Sequence, residues 1–120
     1  MSQVTNVAFF RARRGQSEAL GAALAALVEP TRLEAGCLNY ELHRSVDDTD
    51  VWFVYENWRS SEGFEAHMLA EHLQAFLKAT PDLVAGNIDL RRVSAKKLDW
   101  VAEEGLFQLP WALADKVKES

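Results

Sequence analysis

The stretch from residue 38 to residue 58 reads LNYELHRSVDDTDVWFVYENW, and it decides the fold. Its first part, residues 38–44, alternates between apolar and polar side chains, which predicts a strand with one buried face. After a polar turn at residues 47–50, residues 51–58 are almost continuously apolar, which is typical of a strand covered on both faces. Because so short a turn joins neighbouring strands, the stretch predicts an antiparallel β-hairpin.

The segment before this hairpin predicts a strand followed by a helix. Residues 4–13 are rich in strand-forming side chains, and a helix can begin at Gln16 or Ser17. We expect Pro30 to bend or loosen the last turn of that helix. One helical face is marked by residues recurring at spacings of three and four: Leu20, Leu24, Leu27, Val28 and Thr31.

The segment after the hairpin adds a second helix and a last strand. Ser60 or Ser61 can cap the helix, for which a break near Ala70 is considered and an end at Pro81 is expected. Residues 87–94 form the last predicted strand. The order βαββαβ predicts an α+β, ferredoxin-like domain, with one antiparallel sheet, the helices on one face and the other face bare.

The strand at residues 51–58 predicts that the bare face is covered by a second copy of the chain. Helices can cover only one side of the sheet, and an exposed pair of tryptophans is a patch that soluble monomers avoid. We therefore expect Trp52 and Trp58 to be covered by the same sheet of a partner, which makes a homodimer. One side of this strand carries Trp52, Val54, Glu56 and Trp58, and the other carries Phe53 and Tyr55.

Composition narrows the class of protein. A chain of 120 residues is expected to form one domain, and a net charge of −5 argues against a nucleic-acid partner. Cys37 is the only cysteine, so neither an intrachain disulfide nor a zinc site built on paired cysteines is expected. The sequence lacks an apolar run of about 20 residues and a signal-like start, so we expect a cytoplasmic protein with no membrane partner.

Two motifs resemble the antibiotic biosynthesis monooxygenase family. One is YENWRSSEGFEAH at residues 55–67, followed by His72, and the other is GCLNYELH at residues 36–43. The likeness spans roughly residues 3 to 98. It suggests a family-like domain at residues 1–98 and a C-terminal extension at residues 99–120, which packs on its own or on the partner subunit.

This resemblance implies a dimeric α/β barrel in which each subunit has a cavity between sheet and helices. Family members of known activity oxidise quinols, anthrones and related phenols with O2, without flavin or metal. The implied function is thus a cofactor-independent monooxygenase acting on a small aromatic, quinol-like substrate. The alternatives are a dimer of the same fold that binds or isomerises a small molecule, and a dimer with a packed interior. For either small-molecule function we expect a cavity of about 300 Å³ or more.

The resemblance and the residue types together nominate a set of site residues. Trp58 has an indole N–H that could bind a quinone oxygen, or it anchors the dimer core. Glu56, if buried, is a plausible base for a phenol, unless backbone amides or one of Arg32, Arg91 and Arg92 bind it. Phe64 stands where related enzymes have a tyrosine. The candidate catalytic residues are Trp58, His67, His43 and Glu56; the candidate substrate-binding residues are Trp52, Val54, Asn39, Phe64 and His72.

The histidines bear on metal binding. His67 and His72 are five residues apart, so on one continuous helix they diverge by about 140° and cannot share an ion. A break near Ala70 would change this geometry. The sequence otherwise predicts no metal site, and structural roles for His43 and His72 stay open.

Overall fold

The computed structural model describes residues 2–94, and the predicted extension at residues 99–120 lies outside them. The four strands form one sheet in the order β2-β3-β1-β4, and every neighbouring pair is antiparallel, which confirms the predicted α+β, ferredoxin-like fold. The elements are β1 (Val4–Arg11), α1 (Ser17–Arg32), β2 (Cys37–Arg44), β3 (Val51–Trp58), α2 (Ser61–Leu69), α3 (Glu71–Leu83) and β4 (Asp89–Val93). No helix within residues 2–94 is long and apolar enough to cross a membrane.

The helices cover the face of the sheet that carries the tryptophans, contrary to our expectation from the sequence. Trp58 is fully buried in the core, and Trp52 packs so closely on α1 that a Cβ on Gly21 would lie 2.3 Å from its ring. Their faces could not be assigned from the sequence because residues 51–58 are bulky on both sides. The even-numbered residues of β1 and β3 therefore face the core, as do those of β2 from Tyr40 onward, after a register shift between Cys37 and Asn39.

The opposite face of the sheet, which we call the open face, carries the odd-numbered residues of these strands, in β2 from Asn39 onward. Phe53 is sandwiched there between Phe9, at 5.6 Å between ring centroids, and the stacked imidazole of His43, at 4.6 Å. Tyr55 is 39% exposed on the same face. The apolar surface that needs a cover therefore consists of these rings instead of the tryptophans.

Pro81 does not end α3, which continues to Leu83. Proline lacks the N–H that would bond to the carbonyl four residues earlier, here that of Leu77. The hydroxyl of Thr80 donates to this carbonyl at 2.7 Å and so satisfies it. Pro30 likewise lies inside α1.

The break at Ala70 separates α2 from α3 and sets the geometry of the site. Ala70 is extended, with ψ of 144°, so the two helices do not share one helical phase. At the other end of α2, Ser60 caps the helix, as predicted, by accepting the N–H of Gly63 at 3.3 Å. Gly63 packs on Gly36, where a Cβ would lie only 2.9 Å from the Gly63 Cα. This contact holds the loop between α1 and β2 against α2.

Candidate active site

An apolar cavity of about 230 Å³ lies between the sheet and the helices. Its floor is formed by core-facing residues of the sheet and its walls by α1, α2 and α3. Glu56 and His67 are its ionisable lining residues besides the phenol of Tyr40. The lining comprises Ala8, Phe10, Leu27, Tyr40, Val54, Glu56, Phe64, His67, Met68, Leu73, Phe76, Leu77, Ile88 and Leu90.

Glu56 places a carboxylate in this apolar lining, and it is only 4% exposed. Strand register aligns it with Asn6 of β1 and Tyr40 of β2. Its Oε1 accepts two N–H bonds, from Asn6 Nδ2 and from Trp58 Nε1, both at 3.1 Å. Within residues 2–94 no lysine or arginine pairs with it, and Oε2 has no hydrogen-bond donor. The second oxygen is therefore free to accept a proton or a hydrogen bond from a ligand.

The arginines considered as partners for Glu56 lie elsewhere. Arg32 donates instead to the backbone carbonyl of Tyr40 at 3.1 Å and to Glu41 at 3.2 Å. Arg91 pairs with Asp89, and the Arg92 guanidinium lies over the Phe64 ring at 5.8 Å. The carboxylate of Glu56 is thus stabilised by neutral N–H donors alone among the described residues.

Trp58 is buried behind the residues that line the cavity. Its indole N–H, considered from the sequence as a donor to a quinone oxygen, is already bonded to Glu56. Its ring packs on His67, with centroids 4.6 Å apart, and lies 6.2 Å from the Phe64 ring. Trp58 therefore positions the two polar groups of the cavity, and it is not itself among the lining residues.

His67 is held in place by a residue that the sequence analysis did not identify. Glu34 lies in the loop between α1 and β2. Its Oε2 accepts two hydrogen bonds, one from His67 Nδ1 and one from His72 Nε2, both at 2.7 Å. His67 is buried, at 2% exposure, and lies in the cavity wall. His72 is partly exposed and outside that wall. The break at Ala70 allows these two histidines to converge, in contrast to the divergence expected of a continuous helix.

Tyr40 supplies a phenol to the cavity. It is 3% exposed, and burial raises the pKa of its hydroxyl above the ordinary value, with a further contribution from the negative charges of Glu56 and Glu34. The hydroxyl therefore stays protonated at neutral pH and can donate a hydrogen bond. Phe64 has no hydroxyl, so Tyr40 provides the phenolic donor of this cavity.

Besides Trp58 and His72, three more of the predicted site residues do not line the cavity: Asn39, His43 and Trp52. Asn39 and His43 are odd-numbered residues of β2 and project from the open face. In the neighbouring strand β3, Asn39 lies opposite Asn57 and His43 lies opposite Phe53. Trp52 is on the core side but lies at the other end of β3, where its N–H donates to Ser17 Oγ at 3.0 Å. Of the other predicted residues, Val54, Glu56, Phe64 and His67 line the cavity.

Asn6, Glu34 and Tyr40 were missed for different reasons. Asn6 shares its parity with the apolar Ala8 and Phe10, so a polar residue on a core-facing side was a signal in the sequence. Tyr40 was recognised only as part of the apolar face of β2. Glu34 lies in a loop without periodicity, so its pairing with two helical histidines could not be deduced from spacing.

Fold and cavity together define a class: ferredoxin-like α+β domains with an interior cavity between sheet and helices. Within that class, the chain belongs to the antibiotic biosynthesis monooxygenase family, which it matches over residues 3–79. Among solved structures it is similar to PA3566 of Pseudomonas aeruginosa, with a TM-score of 0.76 and 33% identity, covering 81% of this chain and 97% of that one.

Similarity to curated proteins agrees with this family. "Putative monooxygenase Rv0793" of Mycobacterium tuberculosis is 35% identical over 71 residues, which are 59% of this chain and 69% of that protein. Its solved structure has a TM-score of 0.75. "Uncharacterized protein sll1783" of Synechocystis is 25% identical over 64 residues, and the match covers only 44% of its length. The family and the Mycobacterium relative support a monooxygenase-like function.

Proposed function

We propose that this protein oxidises a small phenol or quinol with O2 inside the cavity, with Glu56 as the base. The observation that carries the proposal is the arrangement of Glu56: a buried carboxylate in an apolar lining, with N–H donors on one oxygen and the other oxygen free. A phenolic O–H entering the cavity is the natural partner for Oε2. Donation by Asn6 and Trp58 to Oε1 fixes the orientation of the carboxylate and leaves Oε2 available for that proton.

The chemistry needs no added reductant. Removal of the phenolic proton by Glu56 leaves an electron-rich phenolate, which can transfer electrons to O2. A quinol then takes one oxygen atom into the ring, loses its hydrogens to form a hydroxyquinone, and releases the other oxygen atom as water. The substrate itself supplies all the electrons that reduce O2. The protein supplies the base, the orientation and the exclusion of water.

The size of the cavity favours small substrates. Its volume of about 230 Å³ is below the ~300 Å³ expected of a ligand site. A cavity of about 150 Å³ accommodates benzene, so the space here suits one substituted ring or two fused rings. We therefore place the substrate among simple quinols and naphthalene-type phenols, rather than three-ring anthrones.

A second candidate function is proton-transfer isomerisation without O2. It is favoured by Tyr40, which lies opposite Glu56 in the strand register and supplies a protonated phenol to the same cavity. A carboxylate base and a phenolic donor are the groups that move a proton next to a carbonyl. This candidate predicts turnover of a small ketone in the absence of oxygen.

The proposal includes a homodimer formed through the open face. Phe9, Phe53, His43 and Tyr55 give this face an aromatic centre. A second copy of the same sheet covers it by two-fold symmetry, so that each contact made by one subunit is repeated by the other. Each cavity lies on the opposite side of its sheet, so each subunit keeps its own complete site.

The test is oxygen consumption by chelator-treated protein with single-ring quinols, naphthalene diols and anthrone. The proposal predicts saturable uptake above autoxidation, preferring one- and two-ring substrates. With isotopically labelled O2, it predicts one labelled atom in the quinone and the other in water. Binding of these compounds without oxygen uptake would contradict it and favour the isomerase.

A further inference from the structure

We propose that Glu34, His67 and His72 form a binding site for one divalent transition-metal ion. The site lies where the loop between α1 and β2 meets the junction of α2 and α3. The donors are one carboxylate oxygen and two imidazole nitrogens, all within 4.8 Å of one another. Imidazole suits zinc, iron, nickel and copper, and two histidines with one carboxylate form a recurrent ligand set that leaves positions open to water.

Ion binding requires only small movements of these donors. Atoms that share an ion at about 2.1 Å are roughly 3.0–3.4 Å apart. Glu34 Oε2 is 2.7 Å from each ring nitrogen, so it has to withdraw by a few tenths of an ångström. The two ring nitrogens, which lie within 4.8 Å of each other, have to close by at most about 2 Å. His72 can make that movement, because 25% of its side chain is exposed.

The charges of the site favour a cation. The Glu34 side chain is only 15% exposed, and within residues 2–94 it pairs with no lysine or arginine. Both of its bonds come from histidines, and each of those ring nitrogens needs a proton to donate. A divalent ion can take the place of these N–H groups, because each neutral imidazole can carry its proton on the other ring nitrogen. The ion then gives the largely buried carboxylate a full positive partner.

The backbone around the ligands is fixed in advance. The Glu34 carbonyl accepts the N–H of Cys37 at 3.0 Å, and the His67 carbonyl accepts the N–H of Ala70 at 3.1 Å. The contact between Gly36 and Gly63 brings the loop to α2. Three separate elements therefore present their donors to one point, as a preformed metal site requires, and the partly exposed side of His72 gives the ion a path from solvent.

This site is distinct from the base of the proposed reaction. Glu56 is not one of the ligands, and metal binding does not depend on whether the cavity oxidises a quinol. His67 is common to both places, since it lines the cavity and bonds to Glu34. A bound ion would fix the orientation of His67 in the cavity wall.

The test is titration of chelator-treated full-length protein with Co2+, followed by its visible absorption spectrum and by calorimetry. We expect one Co2+ per chain and a higher melting temperature when Co2+ is present. His72→Gln removes one ligand from a partly exposed position, so it should fold and bind Co2+ at least tenfold more weakly. His43→Gln is the matched control on the open face and should bind like the wild type.

Three results would overturn the proposal. One is the absence of Co2+ binding at millimolar concentration. Another is unchanged affinity in His72→Gln, confirmed as folded by circular dichroism. The third is loss of binding in His43→Gln, which would place the ion elsewhere. Oxygen uptake by chelator-treated protein tests the proposed reaction separately, so the failure of one idea does not decide the other.

Discussion

The indole N–H of Trp58 donates to Oε1 of Glu56 at 3.1 Å, two residues away along the same strand. Both side chains point to the core, as alternation in a strand requires, and Asn6 of the neighbouring strand donates to the same oxygen at 3.1 Å. Because both donors bind Oε1, the other carboxylate oxygen, Oε2, is left available to the cavity. In the proposed reaction, Trp58 therefore acts through Glu56.

Replacing Trp58 with phenylalanine removes one of the two N–H donors but keeps an aromatic ring. Because the acceptor is a buried carboxylate, we expect the free energy of unfolding to fall by about 1.5–3 kcal/mol. The catalytic efficiency, kcat/KM, should fall as well. Urea unfolding and oxygen-uptake kinetics measure the two effects.

Trp52→Phe is the matched control, because the Trp52 N–H donates to Ser17 instead of to Glu56. It should lower stability and leave kcat/KM near that of the wild type. Equal losses of kcat/KM in the two variants would contradict a specific role for the Trp58 bond.

The raised pKa of Tyr40 predicts that the protein loses stability at alkaline pH. Its pKa is raised by burial, so the folded protein holds this proton at a pH where the unfolded chain releases it. The contribution is complete below the unfolded pKa of about 10 and is lost as the pH rises above it, by up to about 1.4 kcal/mol per pH unit. Urea unfolding between neutral and alkaline pH should show a shallower decline in Tyr40→Phe than in the wild type.

Val84→Ala is the control for this measurement, since it lowers stability in the core but keeps the Tyr40 phenol. Its decline with pH should run parallel to that of the wild type. An identical alkaline decline in Tyr40→Phe and the wild type would show that Tyr40 does not titrate differently in the folded state.

The open face predicts the effect of a charge at its centre. Phe53 lies between Phe9 and His43, so Phe53→Glu places a carboxylate in the interface of the proposed two-fold dimer. We expect this variant to sediment as a monomer in analytical ultracentrifugation. Leu33→Glu changes a residue that is 80% exposed just after α1, and it should leave the assembly unchanged. A dimeric Phe53→Glu protein would contradict the proposed interface.

The apolar patterns of the sequence predicted the helices and strands well, because each element must bury one side and its apolar residues therefore recur with the period of that element. The bounds of β3 are those expected, and Leu20, Leu24 and Leu27 form the buried stripe of α1. The face of Trp58 was not predictable, because β3 has large side chains on both sides and alternation does not say which side the helices cover. The predicted helix end at Pro81 was wrong. The Thr80 hydroxyl bonds to the Leu77 carbonyl that the proline leaves without a partner, and this bond depends on local geometry that the sequence does not give.

Apart from Val54, the cavity-lining residues that were predicted from the sequence belong to one motif. Glu56 and His67 belong to the stretch at residues 55–67 and do line the cavity. Glu34 meets His67 and His72 only after the loop docks and the helix breaks at Ala70, so the cluster is a product of tertiary structure. His43 was nominated by the same resemblance, but its parity in β2 places it on the open face.

The most direct test of the central claim compares Glu56→Gln with Glu65→Gln in oxygen uptake from a single-ring quinol by chelator-treated protein. Glutamine keeps the size of Glu56 and removes its capacity as a base, whereas Glu65 is an exposed residue of α2. We predict a loss of kcat/KM of at least ~100-fold in Glu56→Gln, typical of a missing general base, and wild-type kinetics in Glu65→Gln. Wild-type uptake by a folded Glu56→Gln protein would show that Glu56 is not the base.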